Sequence, residues 1–235
     1  MRARGRGASA DLFAAARPSK PPRTECYDPD CTRCPRLAEF LAETHERYPS
    51  YWARPVPSFG DEAPRILVVG LAPGMHGANR TGRPFTGDHA GILLYETLHE
   101  LGLSSGSESI SREDGLQLRN VRIANAVKCL PPQNKPLPEE IRRCNAYLQT
   151  ELSGLTSVRV ILALGRIAHD SVLIALGLKR RDFIFGHGHE HRLEGERYLI
   201  DSYHCSRYNT QTRVLTRGMF KVVVARACAL GGLQG

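Results

Sequence analysis

Cys31 and Cys34 are separated by two residues, and Cys129 and Cys144 by fourteen. The short spacing lets two thiolates reach one metal centre from a single turn. The second pair would have to join them through the fold. Four thiolates converging from distant segments point to a structural iron–sulfur cluster or a zinc ion. A disulfide framework fits less well, because the cysteines number seven, the chain is long and no secretory signal is visible. Cys26 adds a second spacing, C-x4-C-x2-C, of the plant ferredoxin kind. Which thiols would hold a metal stays open at this point. Cys26, Cys205 and Cys228 suit buried free thiols.

A second concentration of chemistry runs from Gly70 to Asp88, a glycine-rich loop carrying Phe85, Asp88, Arg80 and Arg83. Glycines let a backbone approach a ligand closely. The phosphate-cradling patterns G-x-x-x-x-G-K-[ST] and G-x-G-x-x-G are not in place. Asp88 also suits the cap of a helix beginning near residue 90. Asn125 offers one acceptor and two donors, which matches the polar edge of a base. Tyr203-His204-Cys205-Ser206-Arg207-Tyr208-Asn209 precedes the last helical stretch. His187, His189 and His191 alternate and would share a face on a strand, an arrangement that resembles a metal site. Gly188 interrupts them, so a structural role is expected for the trio.

These residues need elements to carry them. Apolar, β-rich runs at 65–70, 121–125, 158–164 and 197–201 alternate with helical stretches at 35–48, 90–102, 138–153, 166–177 and 211–230. Such alternation predicts a parallel sheet covered on both faces, with ligands beyond the carboxyl ends of the strands. Gly70, Asn125 and His204 all fall at such ends. Residues 1–25, rich in Arg, Ala, Pro and Gly, are expected to form a flexible basic arm, and 26–235 a single domain. The net charge of +8 favours a polyanionic partner. No apolar run is long enough to span a membrane, and a cytoplasmic location is expected.

The chain resembles the iron–sulfur uracil-DNA glycosylases, most closely family 5, the type B enzymes. The matching stretches are Cys31-x-x-Cys34-Pro-Arg-Leu, Tyr51-Trp-Ala-Arg-Pro-Val-Pro57, Gly70-Leu-Ala-Pro, Gly77-Ala-Asn-Arg-Thr-Gly-Arg-Pro-Phe-Thr-Gly-Asp88, Asn125-Ala-Val-Lys-Cys129, Phe185-Gly-His-Gly188 and His204-x-Ser206-x-x-Asn209. The resemblance implies a three-layer α/β/α sandwich around a central four-stranded parallel sheet. It implies a [4Fe–4S] cluster on Cys31, Cys34, Cys129 and Cys144. It implies a monomer that flips damaged bases out of DNA and excises them.

In that scheme Phe85 stacks on the base, Asn125 reads its edge, His204 stabilises the departing anion and Asp88 handles water. Gly70, Ala72 and Gly74 line the pocket. Arg80, Arg83, Ser206, Arg207, Tyr208 and Asn209 meet the DNA. Two departures stand out. The uracil-specific enzymes carry Asp where this chain has Ala72, so water handling must move, with Asp88 the nearest acid in the loop and Asp201 and Glu96 the alternatives. They carry a pocket-closing Tyr where this chain has Gly74, which implies a broader base range. Two rival functions remain at this stage: a non-catalytic iron–sulfur nucleic-acid binder, which would not need Phe85 and Asp88, and a nucleoside hydrolase, which would act as well on free nucleosides.

Overall fold

The computed structural model describes residues 26–233. The arm expected over residues 1–25 lies outside them. The described chain runs α1 (Pro35–Arg47), β1 (Phe59–Gly60), β2 (Ile66–Gly70), α2 (Ala78–Thr81), α3 (His89–Glu100), β3 (Val121–Asn125), α4 (Pro138–Gly154), β4 (Val160–Leu164), α5 (Arg166–Ala175), β5 (Glu190–Leu193), β6 (Arg197–Ser202), α6 (Arg207–Gln211) and α7 (Arg217–Leu230).

The strands form one six-stranded sheet in the order β1-β3-β2-β4-β6-β5. The four inner strands are mutually parallel and are the four apolar runs legible in the sequence. Their alternate residues serve opposite faces. Ile66, Val68, Val160 and Leu162 pack against Leu94 and Leu98 of α3 and Phe220 and Val224 of α7. Leu67, Val69, Ile161 and Ala163 pack against Leu148 of α4 and Val172 of α5. Burial on both faces is why these strands are continuously apolar. The layers are helix, sheet, helix, as expected. Among the described residues no helix is long and apolar enough to cross a membrane.

The sheet is wider than the expected four strands. β1 and β5 add antiparallel edges. β1 is two residues long and β5 is Glu-His-Arg-Leu with only Leu193 buried, so neither carries an apolar signature. Of the histidine trio, His191 alone is in a strand; His187 and His189 occupy the turn before it. The stretch expected as one terminal helix is two. Arg213 takes a left-handed φ of 58°, and the Thr216 hydroxyl starts α7 by accepting from the Met219 amide. That hydroxyl cap makes a new start cheap.

Glu151 of α4 ties that helix to the sheet edge. It accepts from Arg122 Nε at 2.7 Å, from the Ser58 hydroxyl at 2.8 Å and from Lys128 Nζ at 3.3 Å. Glu151 and Lys128 are both buried. Burial alone would raise the Glu151 pKa, but Lys128 and Arg122 hold it below the ordinary value. Its contribution is therefore present above the unfolded-state carboxylate pKa and is lost as pH falls through the lower folded one. Glu151→Ala, which strands a buried ammonium, is expected to cost about 3–5 kcal/mol. Urea denaturation at neutral pH checks this, and the deficit should shrink at acid pH.

Candidate functional site

The carboxyl ends of the inner strands open onto one site. β2 ends at Gly70 and β3 at Asn125, which are paired in register. A methyl group at Gly70 would lie 2.6 Å from Asn125 Oδ1 and 2.6 Å from Phe85 Cζ. Only glycine lets the Phe85 ring and the Asn125 amide close on the strand end together. Phe85 holds a left-handed φ of 55°, strained for a bulky aromatic residue. Its carbonyl lies 1.8 Å from where a Cβ on Gly91 would stand, so α3 begins hard against the turn. Asn125 is buried, and its Oδ1 has no hydrogen-bond partner. A buried, unpaired acceptor costs about 1–3 kcal/mol unless a ligand supplies the donor. Across from it, the His204 ring is roughly parallel to Phe85, with centroids 6.0 Å apart.

Asp88 occupies the N-cap position of α3 without capping it. Its Oδ2 instead accepts from the Ala78 amide at 3.1 Å, at the start of α2. Burial raises its pKa, against the opposing pull of the Ala78 amide and of Arg80 and His76. The carboxylate is seated where Gly74 and Gly77 leave room. A Cβ at Gly77 would fall 1.8 Å from Oδ1, and one at Gly74 2.7 Å from it. Gly74 therefore faces Asp88. Ala72 packs instead toward the apolar cluster of Leu37, Leu130 and Met75 beside the cysteines.

His204 follows β6. Its surroundings desolvate the ring and pull its pKa down to about 4. At neutral pH it is an uncharged imidazole with one N–H to give. Its backbone is fixed by Asn209, whose Nδ2 donates to the His204 carbonyl at 2.8 Å. Ser206 caps α6 by accepting from the Asn209 amide. Ser206 and Asn209, expected at the DNA, thus spend these groups holding the histidine segment. Arg207 and Tyr208 are exposed beside them.

Arg83 departs further from expectation. It is buried, paired in fork fashion with Asp114, bonded to Thr86 and Ser109, and stacked 4.7 Å over Phe59. No phosphate can reach it. Asp114 in turn accepts from the amides of Ile110, Ser111 and Leu116, so Arg83 braces the 70–88 loop against the 105–117 loop. Arg80 is exposed, with Nε on the His76 carbonyl. This brace had a sequence signal only in the Arg-Pro-Phe context; nothing in the polar 105–117 stretch marked Asp114 as its partner.

The thiols of Cys31, Cys34, Cys129 and Cys144 line one cavity with Leu37, Val127, Arg143 and Tyr147. Burial and, next, the neighbouring thiols push the Cys129 pKa well up; burial takes Cys144 to about 11. The Lys128 amide donates to Cys144 Sγ at 3.2 Å. Among the described residues, no three of these sulfurs lie mutually within 4.8 Å. Cys205 and Cys228 are buried in the apolar core, as expected of free thiols.

The family model for the uracil DNA glycosylase superfamily matches residues 57–227. The chain is 51% identical over 208 residues to a type-5 uracil-DNA glycosylase of Thermus thermophilus, covering 86% of this chain and 94% of that one. It is 44% identical over 207 residues to a type-5 uracil-DNA glycosylase of Pyrobaculum aerophilum, covering 86% and 90%. A type-4 uracil-DNA glycosylase of Archaeoglobus fulgidus matches at 41% over 114 residues, 48% of this chain and 49% of that one.

The seat of Asp88 yields a stability cycle. Gly77→Ala drives a methyl into the carboxylate and is expected to cost about 1–3 kcal/mol, the usual penalty of overpacking. In an Asp88→Ala background the obstacle is gone. The same Gly77 change should then cost markedly less, a coupling readable in a double-mutant cycle by urea denaturation. Additive effects would mean that the two residues do not share the space.

Proposed function

This chain belongs to the uracil DNA glycosylase superfamily, and from that premise we propose that it excises uracil from DNA by hydrolysing the N-glycosidic bond. The observation that carries the reading is the buried, partnerless Asn125 Oδ1 set beside the Phe85 ring. Uracil presents an N–H flanked by two carbonyls. Oδ1 accepts from the N–H, and the amide nitrogen of the same side chain can give to a carbonyl. The ring stacks on Phe85. DNA must supply the base by flipping it out of the stack, because the atoms to be attacked are closed inside a duplex.

Bond cleavage leaves negative charge on the departing base and positive charge on the sugar. His204, neutral and desolvated, donates its N–H toward the base oxygen where that charge collects; a donor in a water-poor site is worth far more than one in water. Asp88, seated on the Ala78 amide, orients water and offsets the sugar cation. Exposed Arg80, Arg207 and Tyr208 meet the strand around the flipped nucleotide. Excision extends to other deaminated or damaged bases. A wall at Gly74 would collide with Asp88, so pocket breadth follows from where the acid sits, and a pocket lacking a wall discriminates weakly.

The four thiols would hold a [4Fe–4S] cluster. The donor set fits: four sulfurs about one cavity, raised pKa values that positive iron would reverse, and a backbone amide already on Cys144. When bound, the cluster supplies cross-linking between α1, the segment after β3, and α4. Its role is structural. Cys129→Ala is expected to lose the visible absorption of the cluster and most soluble protein. Any folded fraction should lose far less excision per molecule. Colourless zinc-loaded protein with full activity would refute the assignment.

Single-turnover excision from uracil-containing oligonucleotides, read by cleavage at the abasic site, tests the function directly. No product from a protein that binds the DNA would end the proposal. His204→Ala is expected to lower the rate about a hundredfold, with DNA affinity little changed. Because His204 is already uncharged, the wild-type rate should not rise as pH increases through ~6.5, the ordinary imidazole value. Asn125→Ala is expected to alter which bases are accepted.

A further inference from the structure

His169 and Asp201 form a pair that the chemistry above does not use. His169 lies on α5 and Asp201 near the end of β6, and both are buried. His169 Nδ1 is 2.7 Å from Asp201 Oδ1, and Nε2 is 3.1 Å from the Phe183 carbonyl. Both neighbours are acceptors. A neutral imidazole has one N–H and can satisfy only one of them. Both contacts are hydrogen bonds at once only if the ring carries a second proton, or a metal ion takes the place of one of them.

The separation decides between them. Two ligands on a tetrahedral zinc, each ~2.0–2.1 Å from the ion, stand roughly 3.3 Å apart. The observed 2.7 Å is instead the length of a charge-assisted N–H···O bond. His191 completes what has the composition of a metal site, its ligand atom within 4.8 Å of the others. Yet its Nε2 is 3.2 Å from Asp201 Oδ2, and the Gly186 amide reaches the same oxygen at 3.3 Å. The Asp201 side chain thus meets three neighbours, His169, His191 and the Gly186 amide.

The residue that carries this carboxylate stands three positions before His204, in a segment tied to the 186–189 turn. The Asp201 backbone pairs with Gly188 and His189, at 2.8 and 3.0 Å. The Tyr203 amide donates to His187 Nδ1 at 3.2 Å. Phe185 meets His169 edge-on at 5.6 Å and lies against Tyr203 at 6.3 Å. We propose that His169 is a positioning residue for His204, acting as an imidazolium locked onto Asp201. The inference rests on the base-excision role given to His204 above.

The groups facing His169 are few. Asp170 adjoins it on α5 and is paired with Arg180, and Arg166 lies over the Phe185 ring. β5 presents His191, with His189 beside it. Arg181 and Asp182 follow on the neighbouring 3₁₀ turn. The strands beneath, β2 and β4, carry no titratable residue. Burial opposes the charge, but Asp201, the Phe183 carbonyl and Asp170 outweigh it and raise the pKa. A raised histidine pKa contributes below it and is lost as pH rises through it. Above it the ring keeps a single N–H, so either Asp201 or the Phe183 carbonyl loses its donor and the fastening loosens.

Asp201→Asn separates this role from mere packing. Its amide can donate to a neutral His169 Nδ1 while its oxygen keeps Gly186 and His191, so every bond survives without the extra proton. Single-turnover excision by the wild type is expected to fall on the alkaline side of the His169 pKa by on the order of tenfold, the scale of a small misplacement. Asp201→Asn should keep the neutral-pH rate and lose that alkaline limb. His169→Ala should lower the rate at every pH without weakening DNA binding. Nitrogen-15 shifts of the wild-type histidines should show His169 protonated on both nitrogens at neutral pH, whether or not any base is excised. A neutral His169 in that spectrum, an unchanged alkaline limb in Asp201→Asn, or one zinc per chain that disappears with His169→Ala would each overturn the proposal.

Discussion

The pairing of β2 with β3 does not stop where the strands do. The Ala126 amide bonds to the Gly70 carbonyl at 2.9 Å, and the Val127 amide to the Leu71 carbonyl at 3.0 Å. That extension carries the ladder to Val127. Around it Asn125 is turned to Gly70 and Phe85, Lys128 to the buried Glu151, and Cys129 to the cavity of the other thiols. One short backbone segment therefore joins the proposed base-reading residue to a quarter of the proposed cluster site. A cluster there would stiffen the segment, since constraint passes along paired backbone.

The site is also framed by buried charges, each paired across elements. Glu151 with Lys128 and Arg122 joins α4 to β3; Arg83 with Asp114 joins the 70–88 loop to the 105–117 loop; Asp201 with His169 joins β6 to α5. Buried pairs are seldom a source of net stability, because desolvation offsets most of the attraction. Their geometry is demanding, however, and a pair broken on one side is costly. They suit a place where loops must be held in one arrangement and hydrophobic contacts alone would permit several.

The inner sheet was legible because burial on both faces leaves an unbroken apolar run that no other residue choice satisfies. The edge strands were not, because β1 is too short and β5 too polar for any periodicity. Asn125, Phe85 and His204 could be singled out from their type and their place beyond the strands, and the structure brings them together. Residues whose surroundings are set by a distant partner leave less trace. Arg83 looks like a phosphate ligand until Asp114 is found beside it. His191 was expected to be structural, but its partners Asp201 and His169, from two other elements, could not be named. Charge pairing across long sequence separations leaves no periodic trace.

Gly74 shows why loop and substrate range cannot be tuned separately. In the related uracil-specific pattern an acid and an aromatic wall sit two residues apart in the loop. Here the first position is Ala72, which packs toward the cysteines, and the acid arrives from the far end of the loop as Asp88. Its carboxylate then fills the space a side chain at Gly74 would need. Moving the acid and removing the wall are one change in packing. A side chain restored at Gly74 would collide with the carboxylate proposed above to handle water.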